Sequence, residues 1–239
     1  MSRGNMVPLA QVGIMRAGKS ALEVVNDYLA STPAGQCALH LGCGRQPFAG
    51  WVNVDLEDHA LVDVSCDLTA GLPFCPDGVF DVIYSEHFLE HIDRRSAIRL
   101  MRDCLRVLKP GGVARFAIPD LDKLLNDYHT GAQHHDVNRS FDAELGGAFY
   151  TRGELFNIAM RAWGHTYMYN EEDLTTLFKA AGFGEIRRVP HSQSSTPLLH
   201  QRETRPPGQS SLVVEGVKMG APAGRLDIRH LSRALHPAE

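Results

Sequence analysis

From position 36 onward, short apolar runs alternate with stretches whose apolar residues recur at helical spacing. That pattern predicts strands joined by helices around a mostly parallel sheet. Cys37 to Leu41, Trp51 to Asp55, Val62 to Cys66 and Phe80 to Ser85 read as the first four strands. Between Ser96 and Leu108, the residues Ile98, Met101, Leu105 and Leu108 give a helix its apolar face, and Lys109-Pro110-Gly111-Gly112 stops it. Gly112 to Pro119 is the fifth strand. A second helix starts after Asn170 as N-cap, with Glu171, Glu172 and Asp173 in its first turn, and closes at Gly182. Glu185 to Val189 and Ser211 to Val217 are the last two strands, separated by Pro190 to Gln209, a polar, proline-bearing segment that reads as a mobile loop.

Three segments lie outside this alternation. Residues 120–169 form an excursion rich in His, Asp and aromatic residues, longer than an ordinary connection and so expected to carry function. Residues 1–35 hold one helix, around Ser20 to Leu29, and read as an N-terminal arm. Residues 219–239 read as a tail in which Ile228, Leu231 and Leu235 share a face. The main unit is therefore residues 36–218, with 120–169 inserted after the fifth strand.

Composition narrows the function. With 239 residues, 44% of them apolar and 22% charged, the chain has ordinary globular usage. Its net charge of -4 offers no field that would gather a polyanion, which argues against nucleic acid as a partner. No apolar run reaches the length of a membrane span. The five cysteines, Cys37, Cys43, Cys66, Cys75 and Cys104, are widely spaced and never form a C-x-x-C pair, which suits a reducing cytoplasm.

The chemistry concentrates where the first strand runs into two glycines, Leu41-Gly42-Cys43-Gly44, and the second strand ends in Asp55. Glycine lets a ligand approach the backbone, and an acid ending the next strand can accept both hydroxyls of a ribose. A dinucleotide fingerprint needs a third glycine and an acid about 20 residues after the first. Here Pro47 stands at the glycine position and Asp55 follows Gly42 by 13 residues. The site therefore suits a nucleoside without phosphates, and S-adenosylmethionine is the commonest such cofactor.

At these residues the chain resembles the class I S-adenosylmethionine-dependent methyltransferases, in particular a small bacterial group with Leu-Gly-Cys-Gly followed by Gly-Trp-Val-Asn-Val-Asp. Asp67-Leu68, Leu72-Pro73-Phe74, the run from Phe80 to Ile92 and Leu108-Lys109-Pro110-Gly111-Gly112 follow in family order. The resemblance implies a Rossmann-like α/β sheet with helices on both faces and S-adenosyl-L-methionine as cofactor. It places Gly42, Cys43 and Gly44 along the methionine part, Asp55 on the ribose and Asp67 and Leu68 on the adenine. Ser85, Glu86 and His87 then line the methyl side, and Leu41 and Leu56 complete the cofactor set. His40 departs from the family by standing where an acid is common, and the helix after the glycines is reduced to a turn.

An activated methyl donor leaves the protein to align an acceptor and remove a proton, for which histidine is suited. His87, just after the fourth strand, and His165, in Trp163-Gly164-His165-Thr166-Tyr167, are the candidate catalytic residues. The expected reaction is O-methylation of a small-molecule or sugar-type acceptor. N- or C-methylation, and a non-catalytic cofactor-binding protein acting on a partner, are the rival readings. A homodimer is compatible with either.

Two motif matches are weighed against this. Gly13 to Ser20 fits the phosphate-binding G-x-x-x-x-G-K-[ST] pattern, but the preceding residues carry Pro8 and Gln11 and make a poor buried strand. His87-Phe88-Leu89-Glu90-His91 fits the H-x-x-E-H pattern of zinc peptidases. It sits in the methyltransferase position, where Glu90 and His91 read as bracing residues, and no metal is assigned. His129, His134 and His135 read as solvated loop residues.

Overall fold

The computed structural model describes residues 18–131, 151–205 and 211–220. Seven strands form one sheet: β1 (Ala38–Leu41), β2 (Val52–Asp55), β3 (Val64–Ser65), β4 (Phe80–Glu86), β5 (Leu108–Pro119), β6 (Gly184–Arg188) and β7 (Ser211–Val217). Their order is β3-β2-β1-β4-β5-β7-β6, with β1 to β5 pairing in parallel and β7 antiparallel to both neighbours. This is an α/β, Rossmann-like sheet. Order reverses at β1, whose neighbours β2 and β4 lead to opposite edges, so a crevice opens there at the carboxyl ends of the strands.

The helices are α1 (Ala21–Ser31), α2 (Arg94–Val107), α3 (Leu121–Thr130), α4 (Arg152–Arg161) and α5 (Glu171–Ala181). Helix α2 begins two residues before the sequence expectation because Asp93 caps it, accepting the Arg95 and Ser96 amides and the Ser96 hydroxyl. Helix α5 starts as expected, with the Asn170 side chain accepting from the Asp173 amide. Ser20 closes a capping box with Glu23 at the start of α1, so the last residue of the phosphate-loop match serves as an N-cap. Residues 13–17 of that match lie outside the described residues, as do His134, His135 and the tail from 221 onward. None of the described helices is long and apolar enough to cross a membrane.

One core cluster packs Leu39, Leu41, Val52, Val54, Ile83, Ala114 and Phe116 of the sheet against Ala21 and Val25 of α1, Leu100 and Cys104 of α2, and Leu174 and Phe178 of α5. On the other face, Ala38, Trp51, Val82, Tyr84 and Val113 form a smaller cluster with Leu199. Leu199 belongs to residues 190–205, the stretch whose polarity suggests a mobile loop. The structure instead tethers it.

The tether is electrostatic. Arg115, fully buried in β5, donates from Nε to Glu203 at 2.6 Å and from Nη1 to Glu215 at 2.8 Å and to the Gln193 carbonyl at 2.8 Å. Arg187 reaches the second oxygen of Glu215 at 3.2 Å, so two cations balance two anions. Arg202 lies over the rings of Phe48 and Trp51 at 5.1 and 5.2 Å. Removing one member of a buried pair leaves its partner's charge uncompensated, at about 3–5 kcal/mol. Glu203→Ala should therefore lower stability by an amount in that range and expose the amides of residues 190–205 to rapid hydrogen exchange, read by denaturant melts and exchange mass spectrometry. An unchanged midpoint would mean the network holds nothing in place.

Candidate functional site

The turn after β1 is fixed by the end of β2. Gly42 and Cys43 both donate to the Val54 carbonyl, at 2.9 and 3.1 Å, and the Gly44 amide donates to Asp55 Oδ2 at 2.7 Å. Both glycines have left-handed backbone, but for different reasons. A Cβ on Gly42 would stand 2.5 Å from the Phe88 side chain, whereas one on Gly44 would meet nothing within 4 Å. Gly42 is thus required by the protein's own packing, and Gly44 faces open space.

The short connection to β2 needs no helix because Asn53 holds it. The Asn53 side chain accepts from the Phe48 amide and donates to the carbonyls of Phe48 and Trp51 and to Asp63. This folds Phe48 onto His40, ring centroids 4.3 Å apart and nearly parallel. Burial pushes the His40 pKa down to about 4, so the imidazole is neutral. Burial likewise holds the Cys43 thiol protonated, its pKa pushed up to about 12.

A cleft of about 180 Å³ opens beside this turn, lined by His40, Gly42, Cys43, Gly44, Arg45, Gln46, Glu86, His87, Thr204 and Arg205. A roomier hollow at the amino ends of β1 and β4 involves Gln36, Asp81 and Lys109 and lacks this convergence of polar groups. Of the sequence candidates, the cleft gathers Gly42, Cys43, Gly44, Glu86 and His87. Asp55 stands at its edge through the Gly44 bond, and Leu56 is exposed immediately after it. Asp67 caps the turn Leu68–Ala70, accepting from the amide and hydroxyl of Thr69. Leu41, Leu68 and Ser85 are buried, and the Ser85 hydroxyl has no hydrogen-bond partner among the described residues.

Sequence reasoning missed Thr204 and Arg205. The Thr204 amide and hydroxyl donate to Glu86 Oε2 at 2.9 and 2.6 Å, so the tethered segment 190–205 forms one wall of the cleft. The available signal was the charged pair Arg115 and Glu215, each set in an otherwise apolar strand.

His87 follows β4 in left-handed backbone, φ 50°, an uncommon state for a residue other than glycine and one for which histidine is enriched. Its amide continues the ladder onto the Ala117 carbonyl, and its Nδ1 lies 3.1 Å from Glu90 Oε1. The next residues form a 3-10 turn, Leu89–His91, so the zinc-peptidase match lacks the α-helix that would place its two histidines one turn apart. His165 comes to the same carboxylate from the end of the insertion, its Nε2 4.0 Å from Glu90 Oε1, and it does not line the cleft. Burial lowers its pKa. The Glu90 carbonyl accepts the amides of Thr166 and Tyr167, which pins that returning strand of chain.

A family model described as a methyltransferase domain matches residues 15–186. The chain belongs to that family. It is a methyltransferase. No curated protein matches the sequence. Among solved structures, a methyltransferase of Thermotoga maritima, named as a possible histamine N-methyltransferase, is similar at 18% identity. The alignment covers 83% of this chain and 88% of that one, with a TM-score of 0.45. A methyltransferase of Archaeoglobus fulgidus is similar at 13% identity, over 82% and 92% of the two chains, with a TM-score of 0.48. Phosphoethanolamine N-methyltransferase 2 of Haemonchus contortus is similar at 15% identity, over 83% and 52%, with a TM-score of 0.46.

The neutral His40 makes the methyltransferase sensitive to acid. Its folded-state pKa of about 4 lies below the ordinary 6.5, so between these values the unfolded chain binds a proton that the folded chain does not. The His40 contribution is complete above pH 6.5 and is lost as pH falls toward 4, with a slope approaching about 1.4 kcal/mol per pH unit. Denaturant melts across this range should show the slope in the wild type and a shallower one in His40→Gln. Equal slopes would contradict the assignment.

Proposed function

We propose that this methyltransferase moves the methyl group of S-adenosylmethionine onto an oxygen of a small-molecule or sugar-type acceptor, with His87 receiving the acceptor's proton. The observation that carries the reading is the placement of His87 on the rim of the cleft, its Nδ1 beside the buried Glu90 carboxylate. Glu90 favours the tautomer with the proton on Nδ1, which makes Nε2 the basic nitrogen. His165 meets the cleft only through Glu90 and acts as a positioning residue.

The residues around the turn fit an adenosyl cofactor. Gly44 leaves space where a side chain would stand, the Asp55 carboxylate is beside it, and exposed Leu56 offers an apolar surface for a base. In this reading Gly42, Cys43 and Gly44 pass the methionine part, Asp55 holds the ribose, and Asp67 and Leu68 hold the adenine. Leu41 and Ser85 support the turn and β4 from within the core, and Glu86 keeps the Thr204 wall in place. The bound sulfonium supplies an already activated methyl group. What remains for the chain is to orient the acceptor, exclude water and hold a proton. In this reading the insertion 120–169 covers the acceptor; its residues 132–150 lie outside the described residues.

Calorimetry with S-adenosylhomocysteine and turnover on a panel of hydroxyl and amine acceptors test this together. Asp55→Asn keeps an oxygen for the Gly44 amide but removes the charge, and should weaken binding about 10- to 100-fold. His87→Asn suits the left-handed backbone. It should leave that affinity unchanged while lowering turnover about 10²–10⁴-fold. Undiminished affinity in the first variant, undiminished turnover in the second, or methylation of amines alone would each overturn the corresponding part.

A further inference from the structure

Glu90 is the least expected group in the molecule. Its side chain is 1% exposed, and neither carboxylate oxygen has a well-aligned hydrogen-bond donor among the described residues. A buried carboxylate without donors is costly unless a cation sits beside it. His87 Nδ1 lies 3.1 Å from one of these oxygens, whereas His165 is arranged for something other than donating to it. His165 Nδ1 lies 2.9 Å from the Ala159 carbonyl of α4, a contact that requires the proton on Nδ1. In the neutral ring its Nε2 then carries a lone pair, 4.0 Å from Glu90 Oε1. Two adjacent acceptors repel, unless something positive lies between them.

His91 completes the group. One ligating atom each from Glu90, His91 and His165 lie within 4.8 Å of one another, and the rings of His91 and His165 meet edge to face at 4.9 Å. Two atoms bound to one tetrahedral zinc ion at 2.0–2.2 Å are about 3.3–3.6 Å apart, so side-chain adjustments on the order of an ångström bring all three into range. The bond from His165 Nδ1 to a backbone carbonyl is the outer contact that metal-ligating histidines usually make. The site is rigid where it must be: the Glu90 carbonyl accepts from the amides of Thr166 and Tyr167 at 2.7 and 3.1 Å, and Gly164 takes left-handed backbone immediately before His165.

We infer that Glu90, His91 and His165 form a divalent transition-metal site, of the kind that takes zinc, between the end of β4 and the returning insertion. Two imidazoles and a carboxylate make a donor set for a borderline cation, too nitrogen-rich for magnesium or calcium. Three protein ligands leave a fourth position for water or a substrate atom. His87 on the cleft rim is 3.1 Å from Glu90 Oε1, so the cation stands behind the residue that receives the acceptor's proton. The site departs from the expectation of no metal because its third ligand, His165, is 75 positions beyond Glu90 and no spacing rule connects them. Cation binding does not require the methyl-transfer reading to hold.

The test uses the whole chain, freed of metal by chelation and titrated with cobalt(II) alone, then with zinc chloride as competitor. One cobalt per chain is expected, with the intense visible absorption of a four- or five-coordinate ion, and zinc should displace it. Glu90→Gln, His91→Ala and His165→Ala should each weaken binding by at least the roughly 10- to 100-fold that losing an outer contact costs. His129→Ala, at an exposed position in α3, should change nothing. Circular dichroism and S-adenosylhomocysteine affinity report separately whether each variant is folded and whether the cofactor reading stands. No cobalt absorption in the wild type, or wild-type affinity in folded His91→Ala and His165→Ala variants, would overturn the site.

Discussion

The bond from the Gly44 amide to the Asp55 carboxylate, 2.7 Å long, joins the two strand ends on which the site is built. It fixes the turn after β1 to the last residue of β2, at the point where strand order reverses. With Val54 accepting the two preceding amides, the turn has no freedom to close over the cleft. One carboxylate thus holds the turn and stands at the cleft's edge. A helix after the glycines would have provided amides for phosphate; Asn53, Phe48 and the neutral His40 replace it with a packed turn.

The opposite wall depends on charge buried without a helix to cover it. Arg115 and Glu215 pair across β5 and β7, and Glu203 joins them from the segment 190–205. Such a network specifies one arrangement more than it stabilises. Its effect is positional: Thr204, next to Glu203, is brought to Glu86 on the cleft. The core and the site are linked through this one segment, so the ion network under the sheet and the shape of the cleft are not independent.

The strands were legible from their apolar runs, and helix α5 from Asn170 and Gly182, because local patterning and caps act over a few residues. The glycine turn and Asp55 were legible for the same reason, being 13 positions apart. What escaped was long-range and polar. The proline and serine content of 190–205 describes a loop correctly, yet its fixation comes from Arg115, some 88 positions from Glu203. The packing role of Gly42 was not legible either: its missing side chain makes room for Phe88, 46 positions on. The meeting of His87, Glu90, His91 and His165 depends on how the insertion returns to the sheet, where Tyr169 bridges Asp120, and periodicity is blind to that.

A crystal structure with S-adenosylhomocysteine tests the central claim most directly. The account predicts the ribose hydroxyls on Asp55, the amino-acid end passing over Gly44, and the sulfur directed toward His87. A ligand seated elsewhere, for instance in the hollow by Lys109 at the amino ends of the strands, or one that leaves Asp55 without a contact, would contradict it.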